Sequence, residues 1–475
     1  MKQSKTKLAI QNIKHIGIVG SGIAGLTFAN SLVKRYNDLR YYEKLKLPKI
    51  SIIGNSQNRF PRGLGLWPNS IYALKELGLE TFIHESALKI PSAAYRSMSG
   101  NWLSKCSPTK KNHERVYTIK ENELLTNLKN NIINIPEIEI IHGNVFNVKQ
   151  VVNNNGDEVD KDDSSNNINN NNNINKFEIS YHENDDNTKT TIQNVDFLIG
   201  ADGMNSITRQ SETFRNNNNN TNIVKSNFFT LEGILSPNSN VFREKNISEI
   251  PLDILNECQY PFESLGQYKG VSVRFACIPL KFDSLFYFAT VPYELFHDDV
   301  HNNNEIDVIF QLQNIFKNFH GPIPNILEFI RKHDLNVNRG TVYQDEERGR
   351  IDHMDINKQT EQAYLLGDAW HVERHNLAQG GSISIEDAWE LAYVLSSEDT
   401  LLNAQNRFCE LREERINNYR LFTGFTDFIS HLDNLGQVSE LRNRLMEFVP
   451  TSINERIFDF SLDQSLGGKG YTLQR

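Results

Sequence analysis

Three short segments of this 475-residue chain gather residue types able to hold a phosphorylated, polyhydroxylated ligand. The first is Ile16-Gly17-Ile18-Val19-Gly20-Ser21-Gly22-Ile23-Ala24-Gly25. Its Gly20-x-Gly22-x-x-Gly25 spacing follows an apolar run and opens a segment of helical periodicity. In that setting Gly20 permits a tight turn, Gly22 lets backbone approach a pyrophosphate, and Gly25 lets helix and strand pack closely. Unpaired N–H groups and the positive dipole end of the helix then face the phosphates. The motif alone does not separate one dinucleotide from another. The second segment, Asp196-Phe197-Leu198-Ile199-Gly200-Ala201-Asp202-Gly203, continues to Ser206 and Arg209. It places a carboxylate, a hydroxyl and a guanidinium at the carboxyl end of an apolar strand, where open α/β sheets bind ligands, although an ordinary Asp-Gly turn has the same pattern. The third, Ala363-Tyr364-Leu365-Leu366-Gly367-Asp368-Ala369-Trp370-His371, ends a strand in Gly-Asp and is followed by Gln379-Gly380-Gly381 at the start of a helix. Asp368 there can accept from a sugar hydroxyl, and the helix start at Gly380 and Gly381 presents a positive dipole end.

Elements of alternating type must position these groups. Ile16–Gly20 reads as a strand, Ile23–Val33 as a helix from its apolar spacing, and Leu39–Glu43 as a second strand ending in an acid. Glu43 so placed would accept from an adenosine ribose. Gly63–Asn69 reads as a loop before a helix, Ser70–Leu77, closed by Gly78, and Glu121–Asn130 as a further helix. Ile138–Ile141, Val145–Val152 and Phe177–Tyr181 have strand character, with an Asn-rich tract, 153–175, inserted between the last two. That tract lacks the apolar surface to offset its ordering entropy. Asn216–Asn220 and Asn302–Asn304 are smaller insertions of the same kind. Phe228–Pro292 is strand-rich, with Val271–Pro279 and Leu285–Thr290 expected as antiparallel neighbours. Ile306–Phe319, Ile323–His333, Ile383–Leu395 and Leu401–Phe448 read as helical.

Composition narrows the classes. Hydrophobic residues make up 38% and charged residues 23%, and the formal net charge is −9, which argues against a nucleic-acid partner. The four cysteines, Cys106, Cys258, Cys277 and Cys409, form no C-x-x-C pair, so neither a zinc site nor a dithiol is expected, and free thiols in a reducing compartment follow. No run approaches the roughly 20 apolar residues of a membrane span, and no signal peptide is visible. A cytoplasmic protein is expected.

The three segments, in this order, resemble the fingerprints of the FAD-dependent monooxygenases of the aromatic-hydroxylase type, the group of salicylate hydroxylase-like enzymes and zeaxanthin epoxidase. Gly63-Leu64-Gly65-Leu66-Trp67-Pro68-Asn69 is similar to that family's GxGLxPN loop beside the flavin ring. The resemblance implies an α/β fold in which a Rossmann-like FAD-binding domain (12–85, 115–225 and 350–395) is interleaved with an antiparallel β-sheet substrate domain (86–114 and 226–349), ahead of a helical C-terminal region (396–475). It implies that Gly20, Ser21, Gly22, Ile23, Ala24 and Gly25 cradle the FAD pyrophosphate and that Glu43 binds the ribose. Asp202 and Gly203 would serve FAD and the nicotinamide donor, Gly367 and Asp368 the ribityl and phosphate side, and Gly380 and Gly381 the pyrimidine edge. The implied reaction is oxygen insertion from O2, through a flavin hydroperoxide, into a small aromatic or apolar substrate at the expense of NADH or NADPH.

The chain also departs from the pattern. Trp370-His371-Val372 and His375 stand where the family keeps Ala-His-Pro and a second proline, and Lys120 where it often has arginine, losing the planar fork. His371 is either a proton-transfer group or a packing residue, and Arg374 and His375 are lesser candidates. Two rival readings stay open. One is a flavin-dependent halogenase, although Trp67, Trp102, Trp370 and Trp389 lack the W-x-W-x-I-P spacing of such enzymes. The other is a non-catalytic FAD-binding module, motivated by Val372 and His375. Phe275, Phe286, Tyr287 and Phe288 suit either a planar substrate or a core.

Overall fold

A computed structural model describes residues 8–43, 45–55, 60–107, 115–151, 176–183, 189–214, 223–296, 308–335, 337–345, 359–372, 378–431 and 438–450, with scattered positions up to 459. The Asn-rich tract, the two smaller Asn insertions, Arg374 and His375 lie outside them. The arrangement is mixed α/β.

Short, largely apolar runs form a five-stranded sheet in the order Ala363–Leu365, Phe197–Gly200, His15–Val19, Lys49–Ile53, Ile138–Ile141, every pair parallel. These strands are nearly all buried, as expected for a parallel sheet covered on both faces. The helices Ile23–Glu43 and Gly380–Ser397 pack against one another. The second is enclosed almost all round, with 14 of its 18 residues buried. Leu401–His431 lies against it in turn.

A second, seven-stranded sheet has the order Asn338–Asp345, Ile223–Leu235, Ser284–Pro292, Val271–Leu280, Phe262–Tyr268, Ala93–Ser97, Trp102–Cys106. All its neighbours are antiparallel except Phe262–Tyr268 with Ala93–Ser97. Period-two alternation divides its residues between faces. Cys277 pairs with Tyr287 and Phe275 with Ala289, and this face packs on the helices Val308–Phe316 and Ile323–Lys332 to form a second core. Phe275 stacks on Tyr287, with ring centroids 6.1 Å apart. The opposite face carries Ala276, Ile278, Phe286, Phe288, Thr230 and Glu232, since Ile278 pairs with Phe286 and Phe288 with both Ala276 and Glu232.

A three-stranded sheet, Thr190–Val195, Lys176–Glu183, Gly143–Val151, brackets the Asn-rich tract, and Lys176 pairs directly with Val151. Gly63–Leu66, Tyr117–Lys120 and Leu88–Lys89 make a small antiparallel sheet. Among the described residues no helix is long and apolar enough to cross a membrane.

Two expectations about elements are corrected. Leu39–Glu43 is not a strand: the first helix runs unbroken from Ile23 to Glu43. Neither Gly nor Pro stops it, Tyr36 is buried at 5% exposure, and Lys34 pairs with Asp38 at i,i+4, 2.8 Å apart. The second strand comes later, at Lys49–Ile53, just after Pro48. Gly63–Leu66, expected as loop, is a strand paired with Tyr117–Lys120.

Candidate functional site

Val19, Gly200 and Leu365 stand level at the carboxyl ends of three adjacent parallel strands. The three segments read from the sequence therefore converge on one edge of the sheet, continuing as Gly20, Ala201 and Leu366. Backbone hydrogen bonds tie these exits together: Ala201 N–H donates to Val19 O at 2.7 Å and Leu366 N–H to Gly200 O at 2.9 Å. A cavity of about 220 Å³ opens there. Gly22, Ile23, Ala24, Ala201, Gly203, Leu366, Asp368, Gly380, Gly381 and Ser384 line it on the side of the parallel sheet. The amino-terminal ends of the helices Ile23–Glu43 and Gly380–Ser397 thus both face one space, bringing two sets of unpaired N–H groups and two positive dipole ends to it.

The turn before the first helix demands glycine. Gly20 has φ +114°, and a Cβ there would stand 2.2 Å from Ala201 O. A Cβ on Gly25 would lie 2.1 Å from Gly20 O, so this residue allows the helix to pack onto the turn. Gly203 and Gly380 differ in kind: a Cβ on either would meet nothing within 4 Å, and both line the cavity. Backbone is bared to that space. Asp368 lines it as well, and among the described residues its carboxylate receives no hydrogen bond. Bared backbone N–H groups, paired helix starts and an uncommitted carboxylate suit the phosphates and sugar hydroxyls of a dinucleotide.

Asp202 is engaged otherwise. Its carboxylate accepts from Ser206 Oγ at 2.5 Å, and from Thr208 N and Oγ1 at 3.0 and 3.1 Å, bracing the turn into the short helix Ile207–Gln210. The buried Arg209 donates to the backbone oxygens of Asp368 (3.0 Å), Ala369 (2.9 Å) and Met204. The second segment thereby holds the third in place.

His371 is buried at 2% exposure and does not line the cavity. Its Nε2 lies 2.7 Å from Asp387 Oδ2, which also accepts from Gly367 N at 2.9 Å. Asp387 Oδ1 takes Arg412 Nε at 2.8 Å. The neighbouring Glu386 accepts from Arg412, from Arg415 Nε at 3.1 Å and from Asn69 Nδ2 at 2.6 Å. Burial alone would push the Asp387 carboxyl up, but His371 and Arg412, with the hydrogen bonds from His371 and Gly367, outweigh it and bring the pKa down to about 2. The Gly367-Asp368 turn is therefore clamped from below by a buried charge network. Ser382 and Asn69 extend it to the Gly63–Asn69 segment, with Trp67 N–H donating to Ser382 Oγ at 3.0 Å and Ser382 Oγ to Gly65 O at 3.0 Å.

Of the other expected residues, Ser21 is buried, and Lys120 binds Ser236 Oγ at 2.9 Å without lining the cavity. Glu43 is a correction. It ends a 21-residue helix that starts at the cavity, which sets its backbone roughly 30 Å away at a rise of about 1.5 Å per residue. The second parallel strand instead runs into Gly54 and Asn55, and a Cβ on Gly54 would stand 2.5 Å from Ser21 N.

On the facing wall the seven-stranded sheet supplies Thr230, Glu232, Ile278, Phe286 and Phe288, the Gly63–Leu66 strand supplies Gly63, Leu64 and Gly65, and Arg62, Glu121 and Ala378 flank them. Of the four aromatics singled out in the sequence, Phe286 and Phe288 reach the cavity, whereas Phe275 and Tyr287 lie in the core on the other face. The polar residues here escaped the sequence reading. Arg62 Nε donates to Glu232 Oε1 at 2.6 Å, and Asn338 Nδ2 to the same oxygen at 2.9 Å. The residues lie on three separate elements, so no local spacing announces them. Glu386 and Asp387 did carry a signal: adjacent acids in an otherwise apolar helix require buried cations.

No protein-family profile matches the chain. It is similar to aurachin C monooxygenase/isomerase of Stigmatella aurantiaca, with 23% identity over 443 residues covering 90% of each chain. Among solved structures, Klebsiella pneumoniae HpxO complexed with FAD and uric acid matches 97% of this chain and 98% of its own, with 16% identity and a TM-score of 0.67. The 2,6-dihydroxypyridine-3-hydroxylase of Arthrobacter nicotinovorans matches 89% of this chain and 94% of its own, with 15% identity and a TM-score of 0.61. The chain thus has the fold of these two structures. The resemblance to FAD-dependent monooxygenases seen in the three motifs agrees with these relatives, and nothing in them supports halogenation.

Proposed function

We propose that this protein is an FAD-dependent, NAD(P)H-consuming monooxygenase that inserts one oxygen atom from O2 into a small aromatic or apolar molecule. One observation carries the reading: the three motif segments and two helix starts meet at a single cavity whose far wall is the aromatic-bearing face of the second sheet. The relatives point the same way, since one is a monooxygenase, one is a hydroxylase of a dihydroxypyridine, and one is complexed with FAD and uric acid.

In this reading the backbone at Gly22, Ile23 and Ala24 receives the FAD phosphates, and Asp368 takes a ribityl hydroxyl. Gly380 and Gly381, at a positive dipole end, face the pyrimidine edge. Bound FAD supplies electron transfer from the nicotinamide and activation of oxygen. The protein contributes the shape of the site, the dry apolar wall and the bracing of the Asp368 turn by Arg209, Asp387 and His371. His371 is a positioning residue rather than a proton-transfer group. The parallel sheet with its helices is the cofactor unit and the seven-stranded sheet the substrate unit, interleaved along the chain, with the helices after Leu401 as a C-terminal region.

The test is to purify the protein, record a flavin spectrum, and screen ring compounds for stimulated NADPH or NADH consumption with product mass analysis. A yellow protein yielding a product 16 mass units heavier in the presence of O2 is expected. Bound FAD with negligible reduction by either donor, whatever compound is added, would refute oxygenation and leave the non-catalytic module.

A further inference from the structure

The Arg62–Glu232–Asn338 cluster has an arrangement that packing alone does not require. Glu232 projects from the cavity face of the seven-stranded sheet, in register with Phe288. One of its oxygens, Oε1, accepts from both Arg62 and Asn338. The other, Oε2, receives no hydrogen bond among the described residues. The side chain is only 11% exposed, on a wall that also carries Thr230, Ile278, Phe286 and Phe288. That oxygen opens to the cavity, where a donor on a ligand can pair with it in place of water.

Charge narrows what the ligand can be. Among the described residues, the ionisable side chains lining the cavity are Arg62, Glu121, Glu232 and Asp368, one cation against three carboxylates. The cation is already committed to Glu232. A substrate carboxylate would meet three like charges against one guanidinium whose Nε is held by Glu232, whereas an uncharged donor would find an acceptor held in place.

We propose that Glu232, oriented by Arg62 and Asn338, selects the substrate. Its Oε2 accepts a hydrogen bond from an N–H or O–H on an uncharged planar aromatic molecule laid against Phe286 and Phe288. This rests on the oxygenase reading for what happens next to that molecule, but the recognition itself is a binding property and is tested as one.

The probes are 2-naphthol, 2-methoxynaphthalene and 2-naphthoate, which share a ring system and differ as donor, capped donor and anion. Equilibrium dialysis against the full chain gives the three affinities without any turnover. The wild-type protein is expected to bind 2-naphthol about tenfold to a hundredfold more tightly than either of the others, the range of a hydrogen bond to a charged group. Glu232→Gln is expected to cut the preference for 2-naphthol over 2-naphthoate about tenfold or more. The wild-type comparison stands without the variant, so a poorly folded variant does not weaken the test. Affinities within about threefold of one another, a preference for the anion, no saturable binding of 2-naphthol, or an undiminished preference in Glu232→Gln would each overturn the proposal. A protein that shows the preference yet never consumes NADPH would refute the oxygenase reading instead and leave this inference standing.

Discussion

Replacing Asp387 by Asn is the most informative perturbation of the frame under the Gly367-Asp368 turn. Two carboxylates, Asp387 and Glu386, face two guanidiniums, Arg412 and Arg415, and the exposures of these side chains are 0%, 0%, 1% and 8%. The substitution would remove one of the negative charges facing the two guanidiniums and break the Asp387–Arg412 pair. Breaking a buried pair in this way costs about 3–5 kcal/mol, chiefly because the surviving charge stays buried. The pH dependence gives an independent check. Asp387 falls from its ordinary 3.8 to about 2 in the folded protein. Its ionised form therefore adds stability, about 2 kcal/mol, fully present above pH 4 and lost as the pH falls through 2, with about half remaining at pH 3. Urea unfolding followed by tryptophan fluorescence, at pH 7 and at pH 3, should show the wild-type advantage over Asp387→Asn shrinking at the lower pH. The double variant Asp387→Asn/Arg412→Gln should cost less than the sum of its singles by about 1 kcal/mol or more. A loss below about 1 kcal/mol at pH 7, or an advantage indifferent to pH, would refute the argument.

Other substitutions test other joints of the site. Gly20→Ala places a methyl 2.2 Å from Ala201 O at a φ of +114°, so a thermal melt should show destabilisation by about 2 kcal/mol or more, with flavin retention lost on gel filtration. Arg209→Gln releases the backbone oxygens of Asp368 and Ala369 and is expected to weaken FAD binding about tenfold in a fluorescence titration while the chain stays folded; unchanged affinity would mean that the turn holds its shape unaided. Replacing residues 152–175 by Asn-Gly should leave the melting temperature within about 2 °C, because Val151 and Lys176 are already directly paired and a two-residue turn closes such a ladder. A large loss of stability there would show that the tract contributes to the fold.

The parts of this protein that could be read from its sequence are those written in local spacing. Gly20, Gly22 and Gly25 sit close together in the chain, and for Gly20 and Gly25 the constraint that makes them glycine is a backbone contact a few residues away or across one strand. Val271–Leu280 and Ser284–Pro292 follow from alternation and a short connection. Glu43 misled because Leu39-Arg40-Tyr41-Tyr42 has strand-like composition, while the helix carrying it persists through pairings such as Lys34–Asp38 that a short window does not weigh. Asp202 and Arg209 read as one cluster in the sequence, which does not show that Asp202 braces Ser206 and Thr208 while Arg209 holds the Asp368 turn. Nor could Arg62, Glu232 and Asn338 be joined on paper, since only the strand order of the second sheet brings them to one wall.

That second sheet separates two duties residue by residue. Along Ser284–Pro292, Tyr287 and Ala289 belong to the core shared with the helices behind, while Phe286 and Phe288 border the cavity in front. A change at Phe286 or Phe288 alters what the cavity admits without opening a hole in the helical layer, and a change at Tyr287 does the reverse. Such a strand lets a lineage drift between ring compounds in single steps, each tolerated by the scaffold. The converse also holds: a one-residue insertion within the strand would exchange the two sets and spoil recognition and packing at one stroke.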